Sequence, residues 1–261
     1  MKFFKRLFIV VILLSFLLAN FYIWWLSPRY TVPILMYHRF GYKGGSLFVT
    51  PGNFEKQMAY LKDNNYKVIS LNKLVESTKE NKKFHHKTVV ITIDDGYEDN
   101  YTYAYPILKK YDYPATVFIV AGFIGEEKDF MNWKQARIMA EDRIFFGGHT
   151  KNNVYLPMIK DKDELWEEIS GCKKLIEKKL KKDIDCFCYP TGGFSEEIKK
   201  IVKEAGYKGA CTTNRGYAQA NKDVYELKRI KIKDSDGEKP LKFWVKLSGY
   251  YNLFRSKKNP Y

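Results

Sequence analysis

The chain has 261 residues and a formal charge of +15, enough length for one large α/β domain or two small ones with a sizeable core. Residues 1–30 carry four basic and no acidic side chains and residues 239–261 carry six basic and no acidic ones, which leaves +5 for everything between. A nucleic-acid binder concentrates its charge in a folded module; none is readable here, so that class is set aside, and basic ends beside a membrane suit anionic lipids or wall polymers through non-specific electrostatics.

From Leu7 to Leu26 twenty residues pass without a charge, with Ser15 and Asn20 the only clearly polar members. As a helix this run spans a bilayer. Lys2, Lys5 and Arg6 precede it and only Arg29 follows closely. The positive-inside rule therefore leaves the N-terminus in the cytoplasm and everything after about residue 28 outside, with Tyr22, Trp24 and Trp25 at the outer interface. A cleaved signal peptide shares the basic start and apolar middle, but the run is long for one and no convincing small-x-small cleavage site follows it. The expected organisation is a cytoplasmic stub and signal-anchor over 1–28, an extracytoplasmic domain over 31–238 and a basic aromatic tail over 239–261.

After the anchor, Pro33 to Tyr37 reads as a short buried strand that stops at His38, and a Gly- and Ser-rich loop leads to a helix from about Asn53. Lys67 to Ser70 is a strand and Leu71 to Ser77 a short helix. Val89-Val90-Ile91-Thr92-Ile93 is apolar and β-branched at consecutive positions, which suits a strand buried on both faces of a parallel sheet. It stops on Asp94-Asp95-Gly96, either a plain turn or the place where chemistry sits. A helix carrying Tyr101, Tyr105 and Leu108 follows, then strand Ala115 to Val120, a helix opened by Asn132, and strand Ile144 to Phe146 leading into Gly147-Gly148-His149-Thr150. Leu165, Ile169, Cys172 and Ile176 space one long amphipathic helix. Strands at 187–189, 209–212 and 227–232 and a helix capped by Ser195 complete the series. Strand and helix alternate about seven times, which calls for an α/β fold with a closed or partly closed parallel barrel. Cys172, Cys186, Cys188 and Cys211 are expected as small buried hydrophobes, since a C-x-C pair within one strand cannot bridge to itself.

Four strand ends thus present polar groups to one rim: His38, Asp94 with Asp95, His149, and Tyr189-Pro190-Thr191-Gly192. Successive strand residues face opposite ways, so Asp94 and Asp95 have different neighbours and can hold different jobs. One carboxylate and one imidazole are two of the three protein ligands of an open catalytic metal site.

The ordered series Leu-Met-Tyr-His-Arg, Thr-Ile-Asp-Asp-Gly-Tyr-Glu-Asp-Asn at 92–100, Gly-Gly-His-Thr and Tyr-Pro-Thr-Gly resembles the polysaccharide deacetylases of carbohydrate esterase family 4. It is most similar to the branch that includes poly-β-1,6-N-acetylglucosamine deacetylases, and the resemblance covers roughly residues 31–232. It implies a distorted (β/α) barrel, hydrolysis of N-acetyl groups from an aminosugar polymer, and a divalent metal, zinc first, with cobalt, nickel or manganese as alternatives. Asp94 matches the family's general base, Asp95 its metal-binding aspartate, His149 its first metal histidine and His38 the general acid. In that scheme Asp94 takes a proton from the attacking water, whose pKa the metal lowers, and His38 protonates the leaving amine. The 189–191 turn matches the substrate and oxyanion site.

Two departures stand out. The family's second metal histidine is replaced by Asn153, a weaker donor to zinc than imidazole, and Thr191 replaces a tyrosine whose backbone N–H serves the oxyanion, a donor the substitution preserves. Arg229 either pairs with Asp94 or is a surface cation, Trp133 and Phe145 either pack in the core or line the groove, and the Phe243-to-Phe254 stretch either packs as a final helix or lies on the membrane. The expected partners are an N-acetylated polysaccharide and the membrane, with the chain a monomer. Two rival functions remain: a carbohydrate-binding protein on the same fold with a metal site decayed at Asn153, and a magnesium phosphotransfer enzyme, for which no glycine-rich phosphate loop is present.

Overall fold

A computed structural model describes residues 2–214 and 221–255. The chain divides into two compact units, Met1–Thr31 and Val32–Tyr261. In the first, α1 (Lys2–Asn20) continues through a wider π turn over Phe21–Leu26, so that Phe3–Leu26 is one helix of 24 residues, long and apolar enough to cross a membrane. Within its uncharged run Ser15 and Asn20 bond back to carbonyls one turn earlier, Ser15 to Val11 and Asn20 to Phe16, each at 2.8 Å.

The second unit is built on parallel strands. In chain order these are β1 (Ile34–Tyr37), the short pair β2 (Arg39–Phe40) and β3 (Phe48–Val49), β4 (Lys67–Ile69), β5 (Thr88–Ile93), β6 (Ala115–Ile119), β7 (Ile144–Gly148), β8 (Cys186–Cys188), β9 (Gly209–Thr212), β10 (Leu227–Lys228) and β11 (Ile230–Lys231). The main sheet runs β10-β9-β8-β7-β6-β5-β1-β11, with β4 paired to the first half of β5. Its two ends are one extended stretch of chain interrupted only at Arg229. Leu227 pairs with Cys211 of β9, and Ile230 pairs with Leu35 of β1, so this stretch closes the sheet into a barrel. Counted once, it makes seven strands in the ring, as the alternation of elements predicts.

The helical layer comprises α2 (Pro51–Asp63), α3 (Leu71–Lys79), α4 (Tyr105–Lys110), α5 (Trp133–Glu141), α6 (Lys162–Trp166), α7 (Cys172–Leu180), α8 (Glu196–Glu204) and α9 (Pro240–Leu247). The starts follow local chemistry. Thr50, Ser70, Asn132 and Ser195 each accept a backbone N–H from the first turn, and α2 begins two residues earlier than its apolar spacing suggests because Thr50 caps it and Pro51 takes the first position. The long amphipathic helix is helical from Lys162 to Leu180, with a π turn over Glu167–Gly171 joining α6 to α7. The 239–261 stretch supplies α9, whose Phe243 and Leu247 are in the core while Leu241, Trp244 and Val245 face out. Lys257 and Lys258 of that stretch lie outside the described residues.

β5 is buried at all six positions, as its unbroken apolar run requires. β7 runs two residues beyond the expected Phe146, because Gly147 and Gly148 continue the strand where neighbours crowd it. A Cβ on Gly147 would lie 2.5 Å from Phe118 Cδ1 and 2.7 Å from the Cys186 carbonyl oxygen. These glycines mark close approach, not a break. Gly147→Ala should therefore destabilise the domain by about 2 kcal/mol, whereas Gly44→Ala, with nothing within 4 Å of the new methyl, should be neutral; urea unfolding of the two variants measures this.

Candidate active site

At the end of β5 the Asp94 N–H donates to the Tyr37 carbonyl at 2.9 Å, and the chain then turns out of the sheet with Asp95 at φ 75° and Gly96 at φ 85°. Aspartate tolerates this left-handed backbone better than most residues. At Gly96 only hydrogen fits, since a Cβ would lie 2.7 Å from Ile119 Cγ2. The reversal gives the two carboxylates separate surroundings. Asp94 points into the barrel, where Arg229 grips both of its oxygens, Nη1 to Oδ1 at 2.6 Å and Nη2 to Oδ2 at 2.7 Å. The Arg229 side chain is wholly buried and also donates to Thr92 Oγ1 (3.2 Å) and Cys188 Sγ (3.0 Å). Of the two sequence readings of Arg229, the structure selects the pair with Asp94. Burial alone would raise the Asp94 pKa, but the facing guanidinium overrides it and holds the carboxyl at about 2.

Asp95 shifts the other way: burial raises its pKa, against the partial relief of His149. His149 Nδ1 lies 2.8 Å from the Cys188 carbonyl, which can only accept, so Nδ1 carries a hydrogen and Nε2 faces Asp95 Oδ1 at 3.5 Å. With the imidazole in its neutral form these are two acceptors turned toward each other in a buried place, which suits a cation between them. Tetrahedral ligands about 2.1 Å from one ion are themselves about 3.4 Å apart, close to the separation here. Asp94, His149 and Cys188 also offer ligand atoms within 4.8 Å of one another. That trio suits a metal less well, because Arg229 occupies both Asp94 oxygens and burial drives the Cys188 thiol well above its ordinary pKa, keeping it protonated.

His38 completes the group, its Nε2 3.7 Å from Asp94 Oδ2 and its pKa lowered chiefly by burial. Asn153 lies exposed at the end of the loop after His149, with φ 57°, a conformation asparagine favours. Among the described residues no hydrogen bond joins it to Asp95 or His149. That loop is held instead by buried Glu168 of the π turn, whose carboxylate accepts from the Lys151 N–H (2.9 Å), the Asn152 N–H (3.0 Å) and Asn152 Nδ2 (2.5 Å). In the 189–191 turn, Tyr189 commits its N–H to the Cys211 carbonyl (3.0 Å) and buries its ring against Phe194, and Pro190 has no N–H. Only Thr191, at φ 54°, carries an N–H outside the sheet's hydrogen bonding. Trp133 is half-buried against the core at the start of α5, beside Gly125 and with Lys179 over its ring. Phe145 is 39% exposed and so does not pack in the core.

A family model described as polysaccharide deacetylase matches residues 81–210. The Bacillus subtilis protein YxkH is 34% identical over 201 residues, 77% of this chain and 71% of that one. The poly-β-1,6-N-acetyl-D-glucosamine N-deacetylase of Staphylococcus aureus is 31% identical over 208 residues, 75% of this chain and 71% of that one. This chain belongs to the polysaccharide deacetylase family. The fold agrees: a structure of the Streptococcus pyogenes deacetylase PplD in complex with acetate superposes with a TM-score of 0.75 at 30% identity, covering 81% of this chain and 97% of that one.

Within this family member, sequence reasoning missed Cys188 and Glu168 as parts of the site. Cys188 had a usable signal, as the last residue of a strand whose carboxyl end faces the rim. Glu168 had none, since only the π turn aims it at the loop. The Arg229–Asp94 pair gives a test with a definite sign. Arg229→Met leaves a buried, unpaired carboxylate and should cost about 3–5 kcal/mol at neutral pH. The normal Asp94 pKa lies below its unfolded value, so its stabilisation is present above about pH 4 and fades toward pH 2. In the variant the pKa rises instead, the carboxyl protonates on folding as pH falls, and the deficit should shrink between pH 7 and pH 4, as denaturant unfolding at several pH values would measure.

Proposed function

We propose that this deacetylase removes N-acetyl groups from aminosugar units of a cell-surface or cell-wall polysaccharide, with poly-β-1,6-N-acetylglucosamine the first substrate to test. The observation that carries this reading is the contrast between neighbours: Asp94 held ionised by Arg229, beside Asp95 and His149 turned toward a common point. Asp95 and His149 would hold a divalent cation, zinc in the first instance, with Asn153 as a weak third donor. Such a cation, when bound, lowers the pKa of water and polarises the acetyl carbonyl.

The protein's own groups then move the proton. Asp94, ionised at any physiological pH, takes it from the attacking water. A carboxyl with a pKa of about 2 is a strong acid once protonated, so it passes the proton to His38, 3.7 Å away and neutral at rest because burial lowers its pKa. His38 delivers it to the departing amine as the C–N bond breaks. The Thr191 N–H is the oxyanion donor. PplD crystallised with acetate, the acid that N-deacetylation releases, which supports an acetyl site in this fold. The N-terminal helix serves as an uncleaved anchor that keeps the domain outside the membrane, with Lys2, Lys5 and Arg6 inside.

Acetate release from the polymer by the full chain, with and without chelator, tests this reading. Asp94→Asn should lower turnover by roughly 10²–10⁴-fold and keep its metal, whereas Asp95→Asn should lose the metal; equal metal loss in both would reverse the two roles. Asn153→His should tighten metal binding and leave turnover equal or higher at limiting metal, since imidazole is the better donor to zinc. Polymer binding without acetate release by either protein, at saturating zinc, cobalt, nickel or manganese, would instead support a sugar-binding protein.

A further inference from the structure

The segment that follows the central strand reaches across to β1 and its loop at three points. Asp94 N–H holds the Tyr37 carbonyl at 2.9 Å, Asn100 Nδ2 donates to the His38 carbonyl at 2.9 Å, and Asp99 Oδ1 accepts the Phe40 N–H at 3.1 Å. Asp99 Oδ2 also takes the Arg39 Nε at 2.6 Å, and the Arg39 guanidinium lies 3.9 Å from the Tyr97 ring centroid. Asn100 is fully buried and its orientation is determined: Nδ2 donates to both the His38 carbonyl and Asp99 Oδ1 (2.9 Å), so the flipped amide would set oxygen against oxygen. Its own Oδ1 has no partner among the described residues. A buried acceptor left unpaired is costly, so the amide is retained for what its nitrogen holds.

We propose that Asp99 and Asn100 are positioning residues for His38, clamping the backbone at His38 and at Phe40 while the Asp94 N–H holds it at Tyr37, so that the imidazole stays beside Asp94. This rests on the reading of His38 as the donor to the leaving amine. The step served moves one proton from the His38 imidazolium to the amine nitrogen as the C–N bond breaks. Asp94 and its clamp on His38 therefore come from one contiguous run, Asp94 to Asn100, and the acid is registered against the base through the backbone.

The test separates proton donation from general damage by the leaving group. An N-acetylglucosamine oligomer needs its amine protonated, whereas 4-nitrophenyl acetate expels a phenolate that needs no proton. In the zinc-loaded full chain, Asn100→Ala and the same-shaped Asn100→Asp should lower amide turnover by roughly 10- to 100-fold and ester turnover by less than about threefold, with bound zinc unchanged and thermal unfolding recorded to show each variant folded. Adding Asn100→Ala to His38→Ala should cost nothing further. Equal loss on both substrates, an additional loss in the His38→Ala background, or unchanged amide turnover in the folded Asn100 variants while His38→Ala is impaired would overturn the clamp. Full amide turnover in His38→Ala would instead remove the acid, and the clamp with it.

Discussion

A guanidinium and a carboxylate buried face to face inside a closed barrel constrain everything else in this site. Removing two charges from water costs several kcal/mol per ion, and the arrangement is tolerable only because Arg229 meets both Asp94 oxygens and spends a further donor on Thr92. Arg229 occupies the single position between β10 and β11, the two halves of the stretch that joins the ends of the sheet. Closing the barrel and pairing the central carboxylate are therefore one structural event. A chain that failed to close would leave Asp94 facing an apolar interior alone, with its pKa driven upward.

The same interior produces two opposite carboxylates from adjacent residues. Asp94 is held below the ordinary range by a cation supplied by the protein, and Asp95 is raised by burial, which His149 offsets only in part. That asymmetry favours positive charge beside Asp95, and the Cys188 carbonyl, by taking His149 Nδ1, leaves Nε2 facing the same point. Cys188 thus joins the two halves of the site, with its carbonyl on His149 and its sulfur on Arg229. The sequence suggests only a small buried hydrophobe there, and all four cysteines are indeed free and buried.

Around this centre the loops are held by backbone-directed side chains. Glu168 anchors the stretch after His149 from a π turn, Asp99 and Asn100 anchor the stretch after His38, and positive φ recurs at Asp95, Thr150, Asn153 and Thr191. Asn153 has a left-handed backbone, a conformation that favours asparagine at that position.

By itself the sequence determined the parts of this protein whose physics is local or periodic. The unbroken apolar run of β5, the caps at Ser195 and Asn132, the uncharged N-terminal helix and the ordered strand ends at His38, Asp94, His149 and Tyr189 follow from side-chain type and spacing along the chain. What only the tertiary structure decided were relations between residues far apart in sequence: that Arg229 turns inward to Asp94 and not out to solvent, that Gly147 and Gly148 continue a strand beneath Phe118 and Tyr207, and that Glu168 reaches the His149 loop. The reason is physical. Periodicity says which face of an element is buried, but the partner a buried charge finds is set by which other strand ends lie within about 3 Å, and that is known only once the ring has closed.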